Sequence, residues 1–200
     1  LNAPSRMPTV ASSRPATDAA ATSAAPSAER VEAFAAALRP RLDGDLRTDA
    51  LSRALYATDA SMYQVMPVAV LVPTTRADVQ AAVSLAAAWE LPVLARGGGS
   101  SLAGQGVNAA LVIDFTKHLN RILEIDAEAG TATVEPGLVL DDLNAAAAPY
   151  GLMVGPDPAS SSRATLGGML ANNSTGTHSI RYGNFVHHVE RVEAILADGS

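Results

Sequence analysis

The chain contains no cysteine, and this absence removes several kinds of chemistry at once. Without thiols it forms no disulfide bond, offers no thiolate nucleophile and supplies no cysteine ligand to an iron–sulfur cluster. Aromatic residues are also scarce, at 4% of 200 residues. The sequence therefore predicts a core built mainly from aliphatic side chains.

Positive charge and long apolar runs are limited too. Lys and Arg number 14 against 20 Asp and Glu, the formal net charge is −6, and no basic run occurs. This balance argues against a nucleic-acid partner. The most apolar stretch, residues 81–95, is interrupted by Trp89, Glu90 and Pro92 and falls short of the roughly 18 residues that a membrane span needs. We therefore predict no transmembrane segment.

The chain is predicted to have three parts. Residues 1–28 are rich in Ala, Ser, Thr and Pro without periodicity, which is typical of a disordered tail rather than a secretory leader. Residues 29–62 form a helical lead-in, whose helix over 29–41 carries an apolar face. The main domain is expected to occupy residues 63–200. Because the chain begins with Leu1 and ends at a predicted turn, we expect an N-terminal fragment of a longer protein.

Within the main domain, strands and helices alternate in a pattern that indicates the α+β class. Thr75 and Asp78 have the spacing of a capping box, and two alternating segments around residues 128–130 indicate a hairpin. We predict helices over 75–89 and 139–148. We predict strands over 68–72, 91–95, 111–115, 122–126, 131–135 and 192–197, of which 68–72 and 91–95 are expected to be buried.

A glycine-rich segment, R-G-G-G-S-S-L-A-G-Q from Arg96 to Gln105, follows the predicted strand 91–95. Three consecutive glycines allow successive backbone N–H groups to point toward one ligand and allow the ligand to approach the main chain closely. The hydroxyls of Ser100 and Ser101 follow at once. This composition suits a pyrophosphate held with few charged side chains.

Better-known phosphate loops fit this segment poorly. The stretch from Gly99 to Gly106 has the glycine spacing of G-x-x-x-x-G-K-[ST], but Gln105 replaces the lysine and Gly106 replaces the metal-binding hydroxyl. ATP or GTP hydrolysis is therefore disfavoured. The dinucleotide fingerprint G-x-G-x-x-G is met only loosely, since its last glycine comes too late and no helix is predicted to follow.

A second polar, glycine-rich region spans residues 155–179. Thr165 is placed to cap a short helix whose first turn holds Gly167 and Gly168, and a helix start with free N–H groups favours anions. Asn172 and Asn173 offer donors and acceptors that suit the edge of a heteroaromatic ring. The two regions are expected to form two sides of one cleft.

Together these segments resemble the FAD-binding domain of the vanillyl-alcohol-oxidase, or PCMH-type, flavoprotein superfamily. The similarity is greatest to FAD-linked oxidases that include D-lactate and glycolate dehydrogenases, whose large bacterial members carry a C-terminal iron–sulfur region. It covers roughly residues 50–200. The motifs that carry it, in order, are Arg96 to Gln105 with the preceding strand, Val134-Glu135-Pro136-Gly137, Gly155-Pro156-Asp157-Pro158, Thr165-Leu166-Gly167-Gly168-Met169 with Asn172, Asn173 and Gly176, and Arg181-Tyr182-Gly183.

The resemblance implies two small α+β subdomains that clasp FAD, one over about 63–120 and a second, incomplete in this chain, from about residue 121. It also implies a set of cofactor-binding residues. These are Arg96, Gly97, Gly98, Gly99, Ser100, Ser101, Leu102, Gly104, Gln105, Pro156, Asp157, Thr165, Gly167, Gly168, Asn172, Asn173, Gly176 and His178.

Several of these residues admit more than one role. Arg96 either pairs with a phosphate or braces the loop through backbone carbonyls, and bracing is the preferred interpretation. Asp157, fixed between two prolines, either caps the next turn or approaches the flavin. His178 is either a functional group or a hydrogen-bonded loop residue. Ser100 stands where relatives with a histidyl–flavin bond carry His, so we expect non-covalent FAD.

No metal site is predicted, because His118, His178, His187 and His188 show no ligand spacing. If His187 and His188 lie on a strand, they point to opposite faces. An iron–sulfur cluster is expected only in a downstream region.

The resemblance implies oxidation of a small 2-hydroxy acid, such as D-lactate or glycolate, by hydride transfer to flavin N5, with electrons passing to a second acceptor. No catalytic residue is predicted here. The alternatives are the FAD domain of a molybdenum-hydroxylase flavin subunit or a UDP-sugar reductase, or a non-catalytic nucleotide-binding remnant. The expected location is the cytoplasm, or peripherally the inner face of a membrane.

Overall fold

A computed structural model of the chain describes residues 26–200, so nearly all of the predicted tail (1–28) lies outside the described residues. The helices are α1 (Ala28–Leu38), α2 (Ala50–Leu55), α3 (Arg76–Ala88), α4 (Leu140–Ala147), α5 (Leu166–Ala171) and α6 (Ser179–Tyr182). The strands are β1 (Asp45–Arg47), β2 (Ala69–Val72), β3 (Val93–Arg96), β4 (Leu111–Asp114), β5 (Ile122–Asp126) and β6 (Thr131–Val134). These elements confirm the α+β class.

Four strands form one sheet in the order β1-β2-β4-β3. Strands β2, β4 and β3 run parallel, with Ala69 and Val93 both paired to Leu111, whereas β1 is antiparallel to β2. Strands β2 and β4 are buried along their whole length. The prediction that 91–95 is a buried strand is wrong, because β3 lies at the sheet edge and Val93 is 36% exposed.

The first core forms where α1 and α3 cover this sheet. Phe34, Ala35 and Leu38 are buried on one face of α1, as the periodicity predicts. Phe34 meets Trp89 edge to face with ring centroids 5.7 Å apart. The cluster is mainly aliphatic and consists of Phe34, Ala35, Leu38, Leu46, Ala69, Leu71, Val79, Ala82, Leu85, Ala86, Leu111, Ile113 and Leu119.

A second core lies after residue 119 and shares no buried residue with the first. It consists of Leu138, Leu140, Leu143, Ala164, Leu166, Met169 and Phe185, with Ile122 and Val134 of the β5–β6 hairpin packed against it. The hairpin and the predicted helix after it are confirmed. The division into domains near residue 121 stays a prediction.

Two local expectations differ from the structure. Residues 192–197 form no strand, because a strand needs a hydrogen-bonded neighbour and the described residues place none beside them. Ile195 packs against the first core instead. His187 and His188 lie in a 3₁₀ turn over Phe185–His188 rather than on a strand.

The buried carboxylate of Asp78 joins the segment before β1 to the start of its own helix, α3. It accepts the N–H of Asp43 at 2.8 Å, of Thr74 at 2.8 Å and of Thr75 at 3.0 Å. The predicted capping box with Thr75 is therefore confirmed. Burial alone would raise the pKa of Asp78, but these N–H groups and the Thr74 hydroxyl outweigh it and lower the pKa.

Replacing Asp78 with Ala is expected to lower the free energy of unfolding by about 3 kcal/mol, because three backbone N–H groups lose a buried acceptor. Asp78→Asn keeps one acceptor oxygen, so we expect a smaller loss. Denaturant unfolding of the full-length protein measures both. Asp49→Ala, which removes the exposed cap of α2, is the matched control and should cost less than Asp78→Ala. Equal losses in these two variants would contradict the role of Asp78.

The pH dependence of stability follows from the lowered pKa of Asp78. A carboxylate whose pKa falls on folding stabilises the folded state fully above its ordinary value, 3.8 here. That contribution is lost as the pH drops through the lower folded-state value. We expect the stability difference between the unsubstituted protein and Asp78→Asn to shrink below pH 3.8, as measured by unfolding across acidic pH. A constant difference would contradict this linkage.

Candidate cofactor site

The carboxyl ends of the parallel strands carry the candidate site. The glycine loop, residues 97–106, leaves the end of β3 beside the end of β4. Open sheets with parallel strands bind ligands at this edge, because loops there are held by a rigid scaffold. The carbonyl of Arg96 accepts the N–H of Phe115 at 3.1 Å, which attaches the start of the loop to β4.

The glycine loop presents a row of unpaired backbone donors. Within the described residues, the N–H groups of residues 97–102 donate to no protein acceptor. Gly99 has φ of +63°, a conformation that side-chain-bearing residues rarely adopt. Consecutive N–H groups in such a turn form a concavity suited to an anion.

The two glycine-rich regions touch each other directly. A Cβ added at Gly97 would overlap the Thr165 hydroxyl, and one at Gly98 would overlap the backbone carbonyl of Arg163. The two regions are therefore adjacent, whereas their forming two sides of one cleft stays a prediction. Gly97 thus lies against a side chain and Gly98 against backbone, and neither position has room for a Cβ.

The start of α5 does not offer the free donors that the sequence suggested. Leu166 donates its N–H to the Leu138 carbonyl at 2.8 Å, and Gly167 donates to the Pro136 carbonyl at 2.9 Å. The Thr165 side chain accepts the N–H of Gly168 at 3.3 Å. Thr165 is thus the predicted cap, but the expectation of free N–H groups at this helix start is wrong.

Arg96 braces the glycine loop from one side. Its guanidinium donates to the carbonyls of Gly106 at 2.6 Å, Thr58 at 2.7 Å and Tyr56 at 3.4 Å. The bracing interpretation is therefore confirmed. These bonds occupy both terminal nitrogens of the guanidinium.

Asp157 and His178 form a bonded pair in the second region. One carboxylate oxygen of Asp157 accepts the backbone N–H of His178 at 2.7 Å. The other carboxylate oxygen lies 2.9 Å from Nδ1 of the His178 ring. Gly176 packs against the backbone of Asp157, which holds the two segments together. The His178 side chain remains 57% exposed, so Asp157 fixes the direction of a ring that still faces outward.

Other predicted residues bond mainly within their own segments. Asn172 donates to the Gly168 carbonyl at 2.9 Å, and Asn173 accepts the Val186 N–H at 3.1 Å. Ser101 bonds to the side chain of Gln105 across the glycine loop. Leu102 is 80% exposed. Among the described residues, Oδ1 of Asn172 and Nδ2 of Asn173 make no hydrogen bond, so each can bond another partner.

Sequence reasoning missed a pair near the loop, a half-buried tyrosine bonded to a buried aspartate. The Tyr56 hydroxyl donates to Asp114 at 2.6 Å, and Asp114 also accepts the N–H and hydroxyl of Thr116 at 2.8 and 2.7 Å. Burial and the hydrogen bond to Asp114 raise the pKa of Tyr56. The position of Asp114 at the end of the apolar strand β4 could have marked it as a candidate site residue. No spacing in the sequence links Tyr56 to Asp114.

In residues 26–200, no three His, Asp or Glu side chains lie close enough together to hold a metal ion. None of the helices in that part of the chain is long and apolar enough to cross a bilayer.

Comparison with known proteins identifies the family. The model of the FAD binding domain family matches residues 67–200. The chain belongs to this family. The match confirms the resemblance drawn from the motifs, the fold class and FAD as the cofactor.

The relatives include 2-hydroxy acid enzymes by name. The chain is 40% identical over 175 residues to D-2-hydroxyglutarate dehydrogenase of Pantoea ananatis, covering 86% of the chain and 17% of that protein. It is 37% identical over 150 residues to glycolate oxidase subunit GlcD of Bacillus subtilis, covering 74% of the chain and 32% of that protein. The chain therefore spans less than a third of the length of these relatives.

Among solved structures, the carbohydrate oxidase from Microdochium nivale superposes with a TM-score of 0.71 at 26% sequence identity. The superposition covers 84% of this chain and 36% of the oxidase. The family match begins at residue 67, so β1 and α2 precede it.

Substitutions at the two contacting glycines test the contact between the regions. Gly97→Ala and Gly98→Ala are each expected to lower the free energy of unfolding by about 2 kcal/mol through overpacking. Thr165→Ala removes the hydroxyl that opposes Gly97 but not the carbonyl that opposes Gly98. When combined with Gly97→Ala, Thr165→Ala should therefore restore part of the lost free energy of unfolding. When combined with Gly98→Ala, it should restore none.

A double-mutant cycle measured by thermal unfolding checks this expectation. Thr165→Ala alone, which loses a helix cap worth about 1 kcal/mol, is the control. Strict additivity in both pairs would contradict direct contact at Gly97.

Proposed function

We propose that this chain is the FAD-holding part of a flavin-dependent dehydrogenase that oxidises a small 2-hydroxy acid. The observation that carries the proposal is the row of N–H groups at residues 97–102, which donate to no acceptor in the described part of the chain. It stands at the carboxyl ends of parallel strands in a chain of the FAD binding domain family.

The donors of the glycine loop suit a pyrophosphate. Backbone dipoles aimed at one point stabilise an anion without adding positive charge, as in other amide-lined concavities. The glycines leave the main chain open to close approach, and the hydroxyls of Ser100 and Ser101 add donors. Arg96 is engaged with carbonyls, so its proposed role is to shape the loop.

The second region is proposed to face the ring system of the cofactor. Its members in the predicted set are Pro156, Asp157, Thr165, Gly167, Gly168, Asn172, Asn173, Gly176 and His178. The outward ring of His178, directed by Asp157, can hold or donate a proton at Nε2. The free amide ends of the asparagines can bond the polar edge of a ring.

Binding without a covalent bond is proposed on the same residues. Ser100 lies in the loop where a histidine would be needed, and the chain has no cysteine. When bound, FAD supplies a hydride acceptor at N5, whereas the residues of this chain bind and orient it.

The substrate class is supported by the named relatives. D-2-hydroxyglutarate, glycolate and D-lactate, which appear in the names of relatives 40%, 37% and 35% identical, are all 2-hydroxy acids. We propose that the electrons pass on to a second acceptor. The location, in the cytoplasm or peripherally at the inner face of a membrane, stays a prediction.

The proposal is tested on the purified full-length protein. We expect absorption bands near about 370 and about 450 nm, as for an oxidised flavin. After acid precipitation, FAD should appear in the supernatant. A protein that stays colourless after FAD is added would contradict the cofactor, and flavin retained in the pellet would contradict non-covalent binding.

Substrate class is tested by anaerobic reduction. D-lactate, glycolate and D-2-hydroxyglutarate are mixed in turn with the flavin-loaded protein, and the band near about 450 nm is followed. At least one should bleach it, and the corresponding 2-deoxy acids, which lack the hydroxyl to be oxidised, are the matched controls. Absence of bleaching by every 2-hydroxy acid would contradict the proposed substrate class.

A further inference from the structure

A small hairpin before the family-matched region lies against the glycine loop. The Val65 N–H donates to the Ala57 carbonyl at 2.8 Å, and Thr58 pairs with Gln64 in an antiparallel bridge. Ala57 is fully buried at the base of this hairpin. We call residues 57–65 the bracing hairpin.

The bracing hairpin bonds to the glycine loop near the start of the loop and at its end. The Ala60 N–H donates to the Gly99 carbonyl at 3.0 Å, and the carboxylate of Asp59 accepts the Gly106 N–H at 3.0 Å. The Thr58 carbonyl accepts from Arg96 at 2.7 Å. The ring of Tyr63 fills the space where Gly104 would carry a Cβ.

These bonds determine where the loop donors point. The peptide between Gly99 and Ser100 is trans and planar, so its carbonyl and its N–H point in opposite directions. Because Ala60 holds the Gly99 carbonyl on the hairpin side, the Ser100 N–H must point away from the hairpin. The bond from Gly106 to Asp59 anchors the far end of the same loop.

The hairpin also limits the freedom of the loop before a ligand arrives. Glycines lose more backbone entropy on ordering than other residues do, and residues 97–99 are three in a row. A ligand that had to order them would bind more weakly. A loop that is already held in its binding conformation avoids this loss.

We propose that the bracing hairpin is part of the cofactor site, with Asp59 and Ala60 as positioning residues that set the affinity of the glycine loop for the pyrophosphate of FAD. This inference rests on the proposed function. It assigns a role to residues 57–65, which lie outside both the family match and the predicted site residues.

The test measures the Kd for FAD by titrating the cofactor-free, full-length protein and following flavin fluorescence. Asp59→Ala and Ala60→Pro each remove one bond to the loop and are expected to raise the Kd about tenfold. Asp59→Asn keeps an oxygen that can accept the Gly106 N–H, so it should stay within about threefold of the unsubstituted protein.

Matched controls come from the turn of the β5–β6 hairpin. Asp126 accepts the N–H groups of Glu128 and Ala129, and it makes none of the contacts of the bracing hairpin. Asp126→Ala and Ala129→Pro therefore remove equivalent bonds elsewhere and should leave the Kd for FAD unchanged. The melting temperature of each cofactor-free variant shows whether that variant is folded. If Asp59→Ala does not fold, the Kd of Ala60→Pro tests the role of the bracing hairpin.

Three results would overturn the inference. One is an unchanged Kd in folded Asp59→Ala or Ala60→Pro, and another is an equal rise in the control variants. The third is a rise in Asp59→Asn as large as in Asp59→Ala. Failure of the unsubstituted protein to bind FAD would instead overturn the proposed function, and the inference with it.

Discussion

The contact of Gly97 and Gly98 with Arg163 and Thr165 is the constraint on which the rest of the site depends. It joins a loop that leaves the first core to a segment that belongs to the second. The Thr165 side chain and the Arg163 carbonyl can approach the main chain this closely only where no Cβ intervenes. The two glycines are therefore needed for packing between the cores as well as for access by a ligand.

Around this contact, hydrogen bonding is divided between two sides of the glycine loop. Carbonyls of the loop and of its neighbour segment accept from Arg96 and from the Ala60 N–H. The N–H groups of residues 97–102 have no acceptor among residues 26–200. A chain of net charge −6 would repel a pyrophosphate at long range. Local amide dipoles can compensate at short range, because they would hydrogen-bond directly to the anion.

Asp78 and Asp157 show how the same side chain serves two purposes in this fold. Asp78 is buried and bonded to backbone N–H groups of segments far apart in sequence, so it stabilises the core. Asp157 is bonded to a histidine that stays exposed, so it directs a polar group outward. Burial and the identity of the partner distinguish these roles, and both depend on the folded chain.

The sequence by itself determined the features that depend on residues close together along the chain. The capping box of Thr75 and Asp78, the turn of the β5–β6 hairpin and the glycine loop after β3 were all predictable, because each is a local preference of a few residues. Only the tertiary structure decided the edge position of β3, the pairing of β1, the missing strand at 192–197 and the bonded start of α5. It also brought Tyr56 and Asp59 to the loop. These features depend on hydrogen-bond partners tens of residues away, and no local periodicity reports which distant segment will supply them.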